Sequence, residues 1–191
     1  YLFPDDGSDP SNRSIKAKTT DYRVTFSSAN YVKLKGINFF ATTINISGNS
    51  DYNTIEKCNF YFPSASRRML GTTNGVGTPN VMEISGNSSN NTIIECLFEN
   101  SEGEAIRIRG ANNTIENNYF HHIDWSASDL QGLMVSIWAG TNATSTTYTK
   151  NTIHTTGASA TVLPGPSSTF SYNKVTNTGL LQSDGAVFQG T

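Results

Sequence analysis

Four side chains of the kinds that hold charged sugars are Glu83, Arg107, Arg109 and Trp138. A guanidinium binds a carboxylate or sulfate through paired N–H groups, and an indole stacks on the apolar face of a sugar ring. Together on one surface they would suit an acidic or sulfated polysaccharide. We predict that Glu83, Arg107 and Trp138 bind such a substrate. The alternative is a structural ion pair between Glu83 and Arg107, with Trp138 packed under a loop.

A second group of side chains could transfer protons. All 3 histidines of the chain lie in two neighbouring repeats, and the polar run 121–129 adds two aspartates. Imidazole titrates near neutral pH and is a ready proton carrier, although a histidine in a turn can equally be structural. The predicted acid–base residues are His122, Asp124, Asp129 and His154. Asp184, in a later repeat, is predicted to project into the same groove and contact the substrate.

Carboxylates are the other requirement, because hydrolysis of a glycosidic bond uses two carboxyl groups that flank the bond. Those available are Glu83, Asp124, Asp129 and Asp184. A further acidic run, which straddles a predicted turn, consists of Glu95, Glu99, Glu102 and Glu104. We predict that this run is a solvated edge that discourages pairing with other molecules.

An internal repeat positions all of these residues. The segment 47–60 returns as 85–98 and as 110–120, and fainter copies follow. One aligned column reads Leu34, Ile55, Ile93, Ile115, Tyr148 and Phe170. Its steps are 21, 38, 22, 33 and 22 residues. A basic step of about 22 residues with insertions is typical of one coil of a parallel β-solenoid.

Two further columns describe the turn and the next strand. The first reads Ile37, Cys58, Cys96, Asn118, Asn151 and Asn173, and the second reads Phe39, Phe60, Phe98, Phe120, Ile153 and Val175. Stacked asparagines can hydrogen-bond to each other and to the turn backbone. The two cysteines are predicted to be stacked buried thiols, with a disulfide between coils as the alternative.

A third strand aligns 43–48 with 81–86 and 105–110, and then with 135–138, 160–163 and 186–189. Alternation places one set of side chains inside and the other outside. In this alignment Arg107 lies opposite Ser136, and Arg109 lies opposite Trp138. Because neighbouring coils are about 4.8 Å apart, the four charged and aromatic residues should form one surface cluster.

These patterns predict an all-β, right-handed parallel β-helix of six to seven coils. Residues 1–28 would form a leading segment and the first coil, and 29–191 the remaining coils of a single domain. The chain opens on Tyr1 and ends in a core strand, so we expect a fragment of a longer helix, truncated at both ends.

The composition argues against two kinds of partner. The net charge is −2, from 13 basic and 15 acidic residues, whereas nucleic-acid binding needs a basic face. No run of 18 apolar residues occurs, so membrane insertion is not expected. Few charges together with 21 Asn and 46 Ser plus Thr favour a turn-dense all-β chain.

The Asn-Asn-Thr-Ile-Glu-Asn-Asn-Tyr-Phe repeat ending at Phe120 resembles the right-handed parallel β-helix family of secreted polysaccharide-processing proteins. The resemblance covers about residues 29–191. It implies secretion or a place on the extracellular surface, a polysaccharide partner, and lyase or glycoside hydrolase activity. The alternative is a non-catalytic β-helix, a fibre, adhesin or glycan-binding surface module, for which assembly into oligomers or fibres is expected.

Two segments, 80–85 and 105–120, are also similar to the calcium-dependent alginate and dermatan lyases. In that group a Glu helps to bind calcium, a following Lys is the base, and an Arg on the next strand assists protonation. The resemblance therefore implies a Ca²⁺ cofactor at Glu83 and a catalytic role for Arg109. The Lys is missing, because residues 85–88 read Ser-Gly-Asn-Ser.

Overall fold

The computed structural model describes residues 9, 11, 14, 22–64, 81–125, 135–158, 160–182 and 186–190. These residues contain eighteen strands in three parallel sheets of six strands each. Sheet A contains β1 (Tyr22–Ser27), β4 (Thr43–Ser47), β7 (Met82–Ile84), β10 (Ile106–Ile108), β13 (Val135–Ala139) and β16 (Ala160–Leu163). Sheet B contains β2 (Lys33–Lys35), β5 (Thr54–Glu56), β8 (Thr92–Ile94), β11 (Thr114–Glu116), β14 (Thr147–Thr149) and β17 (Thr169–Ser171). Sheet C contains β3 (Asn38–Phe40), β6 (Asn59–Tyr61), β9 (Leu97–Glu99), β12 (Tyr119–Ile123), β15 (Thr152–Thr156) and β18 (Lys174–Thr176).

The chain visits the sheets in the order A, B, C, six times over. Each passage is one coil, and every strand pairs in parallel with its counterpart one coil away. An isolated parallel bridge between Val162 and Phe188 carries sheet A into a further turn. The predicted all-β parallel β-helix is confirmed. The division at residue 28 stays a prediction.

The core is a stack of like side chains. The column that begins at Leu34 and the column that begins at Phe39 pair in the predicted register along sheets B and C. Rings of Phe60 and Phe98 lie 4.8 Å apart and nearly parallel, and those of Phe98 and Phe120 lie 4.9 Å apart. All three rings are fully buried. Each coil thus buries its apolar side only because its neighbours complete the core.

The predicted asparagine ladder runs through the turn between sheets B and C. Asn118 Oδ1 accepts from the Cys96 backbone N–H at 2.8 Å, and Asn151 Oδ1 accepts from that of Asn118 at 3.0 Å. Asn173 repeats the bond to Asn151 at 2.8 Å. The Cys58 N–H donates to the Cys96 sulfur at 3.4 Å, so a thiol takes the place of the amide. Both cysteines are buried free thiols, as predicted.

A second ladder, not predicted, lines the turn between sheets A and B. Backbone N–H groups of Val32, Asn53 and Asn91 each donate to the side-chain Oδ1 of the asparagine one coil further on, at 2.9 Å. These acceptors are Asn53, Asn91 and Asn113. The signal was present in the sequence, since an Asn precedes Thr-Ile in each clear copy of the repeat.

One part of the predicted register is wrong. Arg107 pairs with Trp138, two residues beyond the expected Ser136, and Ile106 pairs with Ile137. A shift of two residues keeps every side chain on its face of the sheet, so alternation could not distinguish the two alignments. Packing of the larger core side chains selects the observed register, because Ile137 then continues the isoleucine stack.

Among the described residues, no helix has the length and apolar character to span a membrane.

Candidate functional site

The predicted cluster on sheet A exists, and it contains one more member. Arg109 Nε donates to Glu83 Oε1 at 2.9 Å. Arg107 binds both carboxylate oxygens of Glu104, at 2.8 and 2.9 Å. We call Glu83, Glu104, Arg107, Arg109 and Trp138 the sheet A cluster. One ion pair thus joins two adjacent coils, and the other lies within the second of these coils.

The alternative ion pair between Glu83 and Arg107 is not formed, because each chooses another partner. The expectation that Glu104 lies on a solvated edge is wrong, since its side chain is only 15% exposed. Burial raises the pKa of Glu104, and the guanidinium of Arg107 partly offsets that effect. Its position three residues before Arg107, just ahead of β10, was the signal that could have revealed it.

Both guanidinia lie over the Trp138 ring, with Cζ at 5.8 Å from its centre for Arg107 and 5.1 Å for Arg109. A sugar that stacks on the Trp138 ring would therefore lie next to both cations. Arg109 is the accessible member, with its side chain 47% exposed. Its remaining N–H groups can meet a carboxylate or sulfate from solvent.

The histidines gather on sheet C. Register places Glu99, His121 and His154 in one outward column on three consecutive coils. His121 Nδ1 lies 3.1 Å from Glu99 Oε1, and the rings of His121 and His154 are 5.4 Å apart. The two imidazoles are neighbours on consecutive coils, as predicted, with their ring planes tilted by 48°. Glu99 was assigned to a solvated edge, and the structure instead makes it the partner of a histidine.

His122 follows in a column of residues that turn the chain out of sheet C. Its φ of 51° is left-handed, as are those of the residues in the same position on the other coils. These are Ala41, Phe62, Asn100, Thr155 and Asn177. The His122 ring lies 4.0 Å from that of His121. Burial and the neighbouring imidazoles of His121 and His154 lower the pKa of His122, so this ring is held neutral near pH 7.

The remaining imidazole is tied on both sides. His154 Nδ1 lies 2.6 Å from Thr155 Oγ1, and its Nε2 lies 3.2 Å from Asn177 Nδ2. Because the amide nitrogen can only donate, Nε2 accepts and Nδ1 carries the hydrogen. Both ring nitrogens of His154 therefore have side-chain partners. Its predicted acid–base role stays a prediction.

The carboxylates differ in position. Asp124 is 2% exposed and has a φ of 58°, so its side chain faces the interior of a tight turn. Its carbonyl oxygen would lie 2.2 Å from a Cβ at Gly157, which explains the glycine there. Asp129 and Asp184 lie outside the described residues. The predicted catalytic role of Asp124 is likewise untested.

The described residues do not fit the calcium site that the lyase resemblance implies. Among them, no three His, Cys, Asp or Glu side chains converge to hold a metal ion. Glu83 instead accepts from Arg109. Where the lyase Lys would fall, Ser88 N–H closes a turn on Ser85 O at 2.9 Å, and a Cβ at Gly110 would meet Ser88 O at 1.7 Å.

Exposed aromatic side chains flank the histidines. Tyr119 and Trp125 are 41% and 40% exposed. The Tyr119 ring lies 5.7 Å from that of His121, and the Trp125 ring lies 5.1 Å from that of His122.

Comparisons with protein-family models, with curated proteins and with solved structures return no match to this chain.

Proposed function

We propose that the protein is a carbohydrate-active β-helix that acts on an acidic or sulfated polysaccharide, in secreted form or on the cell surface. The observation that carries the proposal is the half-exposed guanidinium of Arg109, which is held between Glu83 and the Trp138 ring. A guanidinium already held in place loses little freedom when it binds an anion. The aromatic ring beneath it offers an apolar surface to a pyranose.

The chemistry of the proposal is cleavage of the chain by elimination or by hydrolysis. Elimination needs a base for the proton beside a uronate carboxylate, and a neutral imidazole near pH 7 has the right protonation state. His122 has that state because its pKa is lowered, and a polymer held at Arg109 on sheet A would have to extend to sheet C to reach it. Hydrolysis needs two carboxyl groups across the bond. Of the carboxylates predicted to act in hydrolysis, the structure describes Glu83 and Asp124, and Asp124 is the buried one.

A non-catalytic glycan-binding or structural module is the second candidate. One observation favours it, namely that the four charges of the sheet A cluster cancel in pairs. A substrate anion would have to compete with Glu83 for Arg109. A β-helix that serves only as a structural spacer needs no charged groups beyond these two ion pairs.

An activity panel separates the two candidates. The protein and its Arg109→Gln variant are incubated with alginate, pectate, dermatan sulfate, ulvan, carrageenan and fucoidan. Ultraviolet absorbance of unsaturated uronates and reducing ends are followed together. Absorbance with reducing ends means elimination, and reducing ends alone mean hydrolysis.

The matched control is Lys150→Gln, which also removes one exposed cation from an ion pair, here with Glu116 of sheet B. We expect turnover of at least one anionic polymer by the parent and by Lys150→Gln, and a large loss in Arg109→Gln. Binding of a polymer without turnover would support the non-catalytic module. The proposal would be overturned if the protein neither bound nor cleaved any of these polymers.

A further inference from the structure

A continuous series of ring contacts crosses the outward side of β12. It runs from Tyr119 to His121, from His121 to His122 and from His122 to Trp125, at 5.7, 4.0 and 5.1 Å between ring centres. We call these four residues the ring row. The row combines two exposed aromatic side chains with two imidazoles that can hydrogen-bond, which is the make-up of a sugar-binding surface.

Glu99 determines which nitrogen of His121 faces a ligand. A carboxylate only accepts hydrogen bonds, so the contact at 3.1 Å requires that Nδ1 of His121 carries the hydrogen. In the neutral form of the ring, Nε2 is then an acceptor. Among the described residues, the side chain of His121 hydrogen-bonds only through Nδ1. The side chain of His121 is 23% exposed, so an incoming hydroxyl can reach the ring.

The charges around the row favour an uncharged ligand. Glu99 faces His121 from β9, and His154 faces it from β15 with both ring nitrogens hydrogen-bonded. His122 is held neutral near pH 7. Within the described part of the chain, no Lys or Arg lies in the register column of Glu99, His121 and His154, which Phe40 and Tyr61 precede and Thr176 follows. In this column a uronate would therefore meet one carboxylate and no Lys or Arg, and in the neighbouring column of Tyr119 the lysine Lys174 is two coils away.

We propose that the ring row is a binding site for a neutral pyranose unit of a glycan, separate from the sheet A cluster. The sugar stacks on Tyr119 and Trp125, and a sugar hydroxyl donates to His121 Nε2. Glu99 is a positioning residue that keeps His121 in the accepting tautomer. This site does not rest on the proposed activity, because it requires neither an acidic substrate nor turnover.

The test uses oligosaccharides as probes: hexamers of β-1,4-glucose, β-1,3-glucose, β-1,4-xylose and β-1,4-mannose, together with hexagalacturonate. Titration calorimetry and imidazole NMR signals are measured at pH 7.5. We expect at least one neutral hexamer to bind and to shift the signals of His121 and His122. Trp125→Ala and His121→Ala should each weaken that binding at least tenfold.

The matched control is Tyr172→Ala, which removes a tyrosine that is 88% exposed but lies in the turn between sheets B and C. It should leave the affinity unchanged. Glu99→Gln removes the hydrogen-bond requirement at Nδ1, because an amide can accept or donate there, and we expect the NMR signature of the tautomer to change with a loss of affinity. Rescue by Glu99→Asp would separate positioning from mere folding.

Several results would overturn the proposal. These are no binding of any neutral hexamer, binding of hexagalacturonate alone, or binding that Trp125→Ala leaves intact. Failure of the proposed polysaccharide activity is distinguishable, because it appears in the Arg109→Gln and turnover assays and leaves neutral-sugar binding untouched.

Discussion

Arg109 connects three consecutive coils of the helix. Its Nε lies 2.9 Å from Glu83 Oε1 on the preceding coil, and its Cζ lies 5.1 Å from the centre of the Trp138 ring on the following coil. A single side chain on β-helix strands can therefore link an acid and an aromatic ring that are 55 residues apart in the sequence. The accessible part of the guanidinium is what an anionic polymer would meet.

Loss of Arg109 should weaken binding to an anionic polysaccharide. A hydrogen bond to a charged group contributes about 1.5–3 kcal/mol, so Arg109→Gln should reduce affinity roughly tenfold to a hundredfold. Affinity electrophoresis or calorimetry at two salt concentrations measures this effect. Lys150→Gln carries the same charge change on sheet B and should cost far less. Equal losses in the two variants would mean that only net charge matters.

The buried asparagine ladder between sheets B and C should contribute more to stability than an exposed pair of asparagine side chains. Asn151 Oδ1 accepts from Asn118, and its Nδ2 donates to Ile115 O at 2.8 Å, all in buried surroundings. Asn151→Ala leaves these groups without partners, so the free energy of unfolding should fall by about 2–4 kcal/mol. Asn59→Ala removes an exposed amide bond to Asn38 and should cost within about 0.5 kcal/mol. Urea denaturation of both variants checks the difference.

The thiol of Cys96 occupies an asparagine position. Its hydrogen bond with Cys58 and its burial raise the pKa of the Cys96 thiol, so it is uncharged near neutral pH. Because sulfur is a weak acceptor, Cys96→Asn should extend the ladder by one rung and leave the protein at least as stable as the parent. Cys96→Ala removes the acceptor and should destabilise by about 1–3 kcal/mol. If Cys96→Asn and Cys96→Ala destabilised the protein equally, the Cys96 thiol would not be acting in place of an asparagine side chain.

The phenylalanine stack should be sensitive to a cavity. Phe98 is fully buried between Phe60 and Phe120, so Phe98→Ala should lower the free energy of unfolding by about 3–5 kcal/mol. Phe40 lies on the same sheet with its side chain half-exposed. Phe40→Ala should cost within about 1 kcal/mol. A similar loss in both variants, measured by chemical denaturation, would argue against the stacked core.

The pKa of His122 makes stability depend on pH. It is lowered from 6.5 in the folded protein, so the unfolded chain binds the proton more readily. Its contribution to stability is therefore fully present above about pH 6.5 and is lost as the pH falls through the folded value. In His122→Asn this part of the decline should disappear, and asparagine tolerates the left-handed φ. Thermal unfolding from pH 7.5 to pH 5 compares the two proteins, and parallel curves would contradict the assignment.

Local periodicity accounts for what could be predicted of the fold. The columns from Leu34 and from Phe39 follow from a repeat of about 22 residues, since equivalent residues of a solenoid must stack. The ladder from Asn118 to Asn173 follows for the same reason. Both are properties of one coil and its nearest neighbour, so sequence spacing is sufficient.

The sequence by itself determined the parallel β-helix and the gathering of His121 and His154 on consecutive coils. It also placed Glu83, Arg107, Arg109 and Trp138 on one surface. Only the tertiary structure decided which acid each arginine binds, that Trp138 lies opposite Arg107, and that Glu99 orients His121. The reason is physical. Stacking of like residues is repeated in every coil and leaves a pattern, whereas a side-chain pair depends on rotamers and a two-residue register that alternation does not record.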